Sequence, residues 1–497
     1  MRLRTILPMA CGLLAPPLSA QFDGFALYNL GGQTTARLIN ANQQIAYTWN
    51  CPTAYSYAMA LKPNGNLVRS AVNPGNQINP AAVSGKIQEL NPQGQVVWEF
   101  VYSSADYVTH HDIALMPNGN VLLIAIVRKT LTELQALGYT GTQAKYPGRI
   151  IEVQQNGSGG QIVWQWEMSD RFIQYVDPVK PGYMPIAAHP ERMNINVATS
   201  GGGMGPNAYD WFHENGIDYD EGLDQIVFTS RFLSEIFVID HSTTTAEAAG
   251  HTGGNGGRGG DFLFRWGKPA NYGITGTQTI PAAVHDPHFV QGGTMDGWIS
   301  FFNNSGNNGN STIDAINPTR VDYNYPWTAG TVWGPTTYQF RHNCLATASG
   351  QSAGELMPNG NVFAAVSDQY MYEVNSSNTV VWQYNAGPQK AFRYTCDHPG
   401  IITLLNDPCG ITTDVAADEE IEAFSMHPNP AQQQVSLAGI DVTTLRSFAV
   451  VDAGGRVAKR AQPGWIIDVS DLPDGVYTVM LEHETGLRQA RKLVVAH

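Results

Sequence analysis

Three histidines carry much of the chemistry that this chain's residue types allow. His111 stands seven residues before Asn118, His213 nine before Gly222 and His285 eight before Gly293, each ahead of a glycine-containing turn. Tyr57 and Ser352 hold the same place, seven residues before Asn64 and Asn359. A lone histidine is ordinarily a surface or satisfied core residue, but three at one recurring place read as a site. Three imidazoles can hold a metal ion, or they can act as acid, base or nucleophile near neutral pH. The residues alone leave both chemistries open. Asp112 and Asp286 each follow one of these histidines directly. Neighbours along a strand point to opposite faces, so these carboxylates are not expected to orient the rings. His110 and His288 are expected to face the sheet interior or solvent. No P-loop is present, and GGNGGRGG at 253–260 has the wrong spacing for a phosphate cradle and reads as a flexible loop.

The positioning elements are a repeat. P-N-G-N occurs at 63–66, 117–120 and 358–361 between alternating apolar residues, and looser versions occupy 219–226 and 291–299. Asn-Gly supplies the positive φ angles of a hairpin turn. A second signature follows most of these turns, a strand ending in tryptophan: Trp98, Trp164, Trp266 and Trp382, with an orphan half ending at Trp49. Each unit reads as a four-stranded antiparallel sheet, and radial repetition of such sheets is a β-propeller. Five turns plus the orphan half predict six blades, with the orphan strands closing the ring against residues of about 391–405. The first strand of each blade lines the central channel, which brings the three histidines together. The segment 168–210, rich in Gly, Pro and Asn, is expected to be a loop over one face.

Composition agrees with an all-β chain outside the cytosol. The 497 residues leave room for roughly three domains at about 150 residues each. Charged residues are 14%, against a usual level of about 25%, while Gly reaches 51 and Pro 29. A net charge of −14 disfavours nucleic acid as a partner. No apolar run past the leader is long enough for a transmembrane span. Residues 1–20 read as a signal peptide, with Arg2 and Arg4, an apolar stretch and Ser19-Ala20 in order. Cys51, Cys344, Cys396 and Cys409 then remain for an oxidising compartment. Three pairings are open to them, and Cys396 with Cys409 closes the shortest loop, at a gain of about 3 kcal/mol on a chain-entropy model. The acidic stretch 412–424 reads as a linker between a main domain, 21–411, and alternating strands at 425–497 that predict a small Ig-like β-sandwich.

Two resemblances attach to these motifs. HPNPA, DAGGRV, IDVSDLPDGVY and KLVV, in order within 426–497, resemble the C-terminal sorting domain of the type IX secretion system of Bacteroidetes. That implies passage through the periplasm and then release or surface anchoring, with the secretion machinery as partner. THHDIALMPNGNVLLIA (109–125), DWFHENGIDYDEGLDQIVFTSRFLSEIFVID (210–240) and VHDPHFVQGGTMDGWISFFNNSG (284–306) resemble the bacterial arylsulfate sulfotransferases, six-bladed propellers. The resemblance covers most of 25–405 and carries the family's three channel histidines and one arginine onto His111, His213, His285 and Arg231. It implies sulfuryl transfer from an aryl sulfate to a phenol by ping-pong through a sulfated His285, without cofactor or metal. The resemblance does not extend to the extra N-terminal β-domain of enterobacterial members, which is not expected here, and Val284 stands where the family often has Gln or Gly.

In that chemistry Arg231 would hold the sulfuryl oxygens, and His111 and His213 would hold them too and move protons. Asn215 would add a hydrogen bond, and Tyr57, Trp211 and Tyr209 are candidates to stack on an aryl ring, with core packing as the alternative. His288 is a rival nucleophile. Two other readings stay in view: a surface-binding propeller without chemistry, and a metal-dependent hydrolase or lyase using the three histidines as ligands.

Overall fold

The turns explain the sheets. At Gly65, Gly119 and Gly360 the backbone takes φ of 79°, 86° and 85°, a region that a Cβ would strain. Each glycine N–H donates at 2.9 Å across its turn, to the carbonyls of Lys62, Met116 and Met357. The asparagine closing each turn then reaches the third strand of its own sheet. Asn66 donates to Glu89 at 2.6 Å, Asn120 to Glu152 at 2.5 Å and Asn361 to Glu373 at 2.6 Å. The motif therefore sets both the turn and the registration of a strand beyond it.

A computed structural model describes residues 22–201, 209–406, 409, 424–452, 457–461, 464–483 and 488–497. The expected leader at 1–20 and nearly all of the expected linker at 412–424 lie outside the described residues. Two compact units form, Met1–Cys409 and Gly410–His497. The first contains six four-stranded antiparallel sheets. Their innermost strands are Tyr55–Leu61, Tyr107–Leu115, Glu214–Asp220, Val284–Phe289, Ala353–Leu356 and Ala391–Tyr394. Each touches the next, and the last returns to the first, so the sheets form a β-propeller around a channel. Ala391–Tyr394 joins the N-terminal strands through pairs such as Phe25 with Tyr394 and Tyr28 with Ala391, which removes an open edge. Pro399–Leu405 lies beyond that closing strand as a short helix.

The tryptophan strands are outermost in their sheets. Their indoles clasp the neighbouring sheet: Trp98 donates to Gly159 O at 2.7 Å, Trp164 to Thr243 Oγ1 at 3.2 Å, Trp266 to Pro335 O at 2.6 Å and Trp382 to Asn40 O at 3.3 Å. The described part of the segment 168–210, residues 168–201 and 209–210, is more than a plain loop. Phe172–Ile173 pairs in parallel with Met193–Asn194, and Met168, Met193 and Ile195 are fully buried. The glycine run at 253–260 is pinned as well, correcting the expectation of a flexible loop. Gly256 N–H donates to Asp240 at 2.6 Å and Asn255 N–H to Ser242 at 2.7 Å, and a Cβ on Gly260 would meet Ala248 O at 2.0 Å. Cys396 and Cys409 form a disulfide, while Cys51 and Cys344 are free.

The second unit pairs a three-stranded sheet with a four-stranded one. Val435, Phe448, Val450, Ile467, Val479, Leu481 and Leu493 meet in their shared core, a small β-sandwich.

Candidate functional site

The histidines sit where the inner strands lose register. Between Thr109 and Ile113 the inner strand carries two more residues than its partner segment, Ala125 to Leu123. The same irregularity falls between Tyr55 and Met59, and single-residue ones at Glu214/Gly216 and His285/His288. His111 and Asp286 inside these irregularities, and His213 one residue before Glu214, take φ of 54°, 52° and 55°, a left-handed backbone costing about 1–2 kcal/mol for a residue with a Cβ. Simple alternation of faces fails at these bulges.

The three rings are buried, with relative exposures of 3% for His111, 4% for His213 and 1% for His285. The rings of His111 and His213 meet edge to face at 4.6 Å between centroids. Every Nδ1 has a partner. His111 shares a hydrogen bond with His110 Nδ1 at 2.7 Å, and His213 meets Asp210 Oδ2 at 2.6 Å. His285 Nδ1 lies 2.8 Å from Ala283 O and 2.7 Å from Asn304 Oδ1. Asn304 is itself fixed by donating to Ala348 O at 2.9 Å. Both partners of His285 Nδ1 are acceptors, so that nitrogen carries the proton and Nε2 carries the lone pair. Nε2 accepts the backbone N–H of Gln351 at 3.1 Å.

Burial first, then the charge of neighbouring Arg231 and His213, pushes His285 down to about 3. Burial, with His213, His110, His285 and Arg231 around it, likewise holds His111 well below the ordinary imidazole value. Both rings are neutral near pH 7. Burial works against Asp210's charge, but its contacts with His213 outweigh that and hold the carboxyl below its usual range. Asp210 and His213 thus form a carboxylate–imidazole pair of the kind that orients a general base.

Arg231 is half-buried, donates to Ser349 O at 3.2 Å, and lines a cleft of about 430 Å³ with residues 347–351 and 367–369. Gln351 belongs to that lining, so the segment beside the guanidinium is the one that touches His285 Nε2. Asp112 and Asp286, one residue on from His111 and His285, make a separate ionic set. Lys390 lies 2.6 Å from Asp112 and 2.7 Å from Asp286. Ile217 N–H and Gly354 N–H donate to the two carboxylates at 3.1 and 2.7 Å. His288 joins through Asp286 at 3.1 Å and Asp218 at 3.6 Å. Burial opposes its charge, but these carboxylates hold it well above the usual imidazole value. It is an imidazolium whose two nitrogens face acids.

Asn215 is committed to structure: it donates to Val284 O at 2.8 Å and accepts from Thr229 at 2.7 Å, tying its strand to the residue before His285. Trp211 is a core residue, 2% exposed and stacked on Phe212 at 4.7 Å. Tyr209 is exposed and stacks on Tyr146 at 5.1 Å. Tyr57 is fully buried with its ring edge-on to His111 at 5.3 Å. Neither Trp211 nor Tyr57 presents a free face to an aryl ring. Among the described residues, the one group of three or more potential ligands whose atoms converge is Asp23, Cys396 and Cys409, and the cysteines there are bonded to each other. The three channel histidines do not converge as a ligand set. Asp210, Asn304, Lys390 and Gln351 are site residues that the turn spacing does not single out, although Asp210 and Asn304 stand inside the DWFH and FFNN stretches.

Residues 44–320 match the family model "Arylsulfotransferase (ASST)", and residues 425–496 match "Secretion system C-terminal sorting domain". No curated protein matches the chain. Among solved structures, a protein of unknown function from Bacteroides caccae is 12% identical, over 74% of this chain and 98% of its own, with a TM-score of 0.40. A protein from Lactobacillus plantarum is 9% identical, over 95% and 96%, with a TM-score of 0.36. The sorting domain marks the chain for secretion and the cell surface. Among the described residues no helix is long and apolar enough to cross a membrane.

Proposed function

The chain belongs to the arylsulfotransferase family, and from that premise we propose that it moves a sulfuryl group from an aryl sulfate to a phenol through a sulfohistidine at His285. The observation that carries this reading is the protonation pattern of His285. Its Nδ1–H is held by two acceptors, its ring is neutral, and its Nε2 lone pair faces the segment that lines the Arg231 cleft.

In the first half-reaction the Nε2 lone pair forms the N–S bond as the bond from sulfur to the aryl oxygen breaks. Sulfur displaces the Gln351 N–H from Nε2, and that N–H then turns to a sulfuryl oxygen. Arg231 supplies a planar, permanently charged donor for the same oxygens, where positioning and charge stabilisation do most of the work. The departing phenolate leaves with hydrogen bonds donated by the His111–His213 pair and takes its proton from solvent. In the second half-reaction a phenol gives its proton to that pair, which passes it to solvent, and attacks sulfur, and the N–S electron pair goes back to Nε2. Asp210 keeps His213 turned with Nδ1 toward the carboxylate and leaves its Nε2 for this traffic.

The test uses the full mature chain with 4-nitrophenyl sulfate, following nitrophenolate release with and without added phenol and with a chelator. Phenol-dependent, chelator-resistant release, with a sulfuryl mass on the peptide holding His285, is the expected result. Phenol-independent, chelator-sensitive release would replace this reading with a metal hydrolase. Silence with several donors would replace it with a binding propeller.

A further inference from the structure

Tyr57 has no exposed surface, and its hydroxyl has no hydrogen-bond partner. Folding away an unmet hydroxyl costs stability, so its retention needs a reason. The inner strand of its sheet repeats the irregularity of the next sheet. Two surplus residues lie between Tyr55 and Met59 as they do between Thr109 and Ile113, which gives Tyr57 the place that His111 holds. Its ring packs edge-on against His111 at 5.3 Å. Asp112, Asp286 and Arg231, from three other sheets, all act electrostatically on its hydroxyl, and Arg231 also acts on His285. Tyr57 lies on Tyr55–Leu61, the innermost strand of its sheet, which borders the channel. Burial and the two carboxylates push its pKa well above the ordinary phenol value, so it keeps its proton and is a donor.

We propose that the Tyr57 hydroxyl is a catalytic hydrogen-bond donor to an oxygen of the sulfuryl group held at His285. It finds its missing acceptor only when that group is present. The ring, packed on His111, holds no aryl substrate. This rests on the sulfuryl-transfer reading above. A donor unused in the resting protein and engaged by the transferring group stabilises the transition state selectively.

The experiment compares Tyr57→Phe with the full mature wild-type chain in single-turnover release from 4-nitrophenyl sulfate and from phenyl sulfate, a poorer leaving group. The expected result is a fall in rate of about 10²-fold with both donors, an unchanged donor KM, and a melting temperature equal to or above wild type. A rate within twofold of wild type overturns the proposal. A loss that grows with the poorer leaving group also overturns it, because it moves the donor to the aryl oxygen. A lowered melting temperature with proportionate loss would make Tyr57 a packing residue. If the wild type releases nothing and gains no sulfuryl mass, the parent reading falls and takes this one with it. The other failures appear only between two active proteins.

Discussion

The channel holds the same dipeptide twice, His111-Asp112 and His285-Asp286, and each time its two halves end in opposite electrical states. The histidines are buried among one another and near Arg231, and burial with like charge keeps them neutral. The aspartates are equally buried but converge on Lys390. Burial raises Asp112, whereas the attraction of Lys390 and His288 outweighs burial and depresses Asp286. Burial alone therefore does not decide a group's charge in this channel; the partner does. The ionic set joins alternate sheets, since Lys390 precedes Ala391–Tyr394 while Asp112 and Asp286 lie on Tyr107–Leu115 and Val284–Phe289. It fixes the strands whose bulges present the histidines. One set is left with reactive atoms, and the other has its charges matched.

The two sets should respond to substitution in opposite ways. His285→Ala should lower donor cleavage by about 10³-fold or more, as expected for loss of a nucleophile, with a urea midpoint close to wild type. A midpoint shift as large as that of an ionic-set variant would end the distinction. Lys390→Met should do the reverse. It leaves two buried carboxylates without their shared cation, a loss of about 3–5 kcal/mol in urea unfolding. Adding Asp112→Asn and Asp286→Asn to it should restore much of that loss, since replacing a whole buried ion set is far milder than orphaning part of it. A triple variant no better than Lys390→Met would mean that the set holds the fold through something other than its charges.

The regular parts of the repeat are legible from sequence, and the bulges are not. P-N-G-N and the terminal tryptophans mark hairpins and outer strands because each motif makes its own bond, to Glu89, Glu152 and Glu373 or to the neighbouring sheet. Counting back from those turns groups His111, His213 and His285 without knowledge of the fold. Side-chain direction is harder, because extra residues and left-handed φ at His111, His213 and Asp286 override alternation. His110 accordingly bonds to His111, and His288, expected in the sheet interior or at solvent, joins the ionic set. Lys390 has no local signature, being joined to Asp112 across 278 residues. Asp210 was legible in principle, three residues before His213. The fully buried Met168, Met193 and Ile195 show apolar anchors inside a segment whose Gly, Pro and Asn suggest only loop.

Within the histidine set, Arg231 tests how much of the site depends on planar charge. Arg231→Lys keeps the charge but loses the two-pronged donor, and the cost should be about 10² in kcat for aryl sulfate cleavage, with stability unchanged. Full activity in this variant would reduce Arg231 to a general positive field and leave Tyr57 and the Gln351 N–H as the shaped donors.

Outside the channel, the neighbours of another histidine reverse the sign. His241 lies between Asp224, at 2.6 Å, and Glu152, at 3.2 Å, with Trp164 at 4.7 Å between ring centroids. Burial pulls against its charge, but the bonds to Asp224 and Glu152 outweigh it and lift the ring to about 9. The folded chain therefore holds this proton more tightly than the unfolded chain, where imidazole titrates near 6.5. Its contribution is full below pH 6.5 and is lost as pH rises through about 9, an amount on the order of 1–3 kcal/mol. The difference in urea midpoint between wild type and His241→Gln should accordingly shrink between pH 6.5 and 9.5. His285→Ala should show no such decline over the same range, because the folded ring is neutral throughout and only the unfolded ring loses a proton near pH 6.5, a small change of opposite sign. A His241→Gln difference that stays constant with pH would mean that the ring is neutral at pH 7 and that its two carboxylates do not govern its charge.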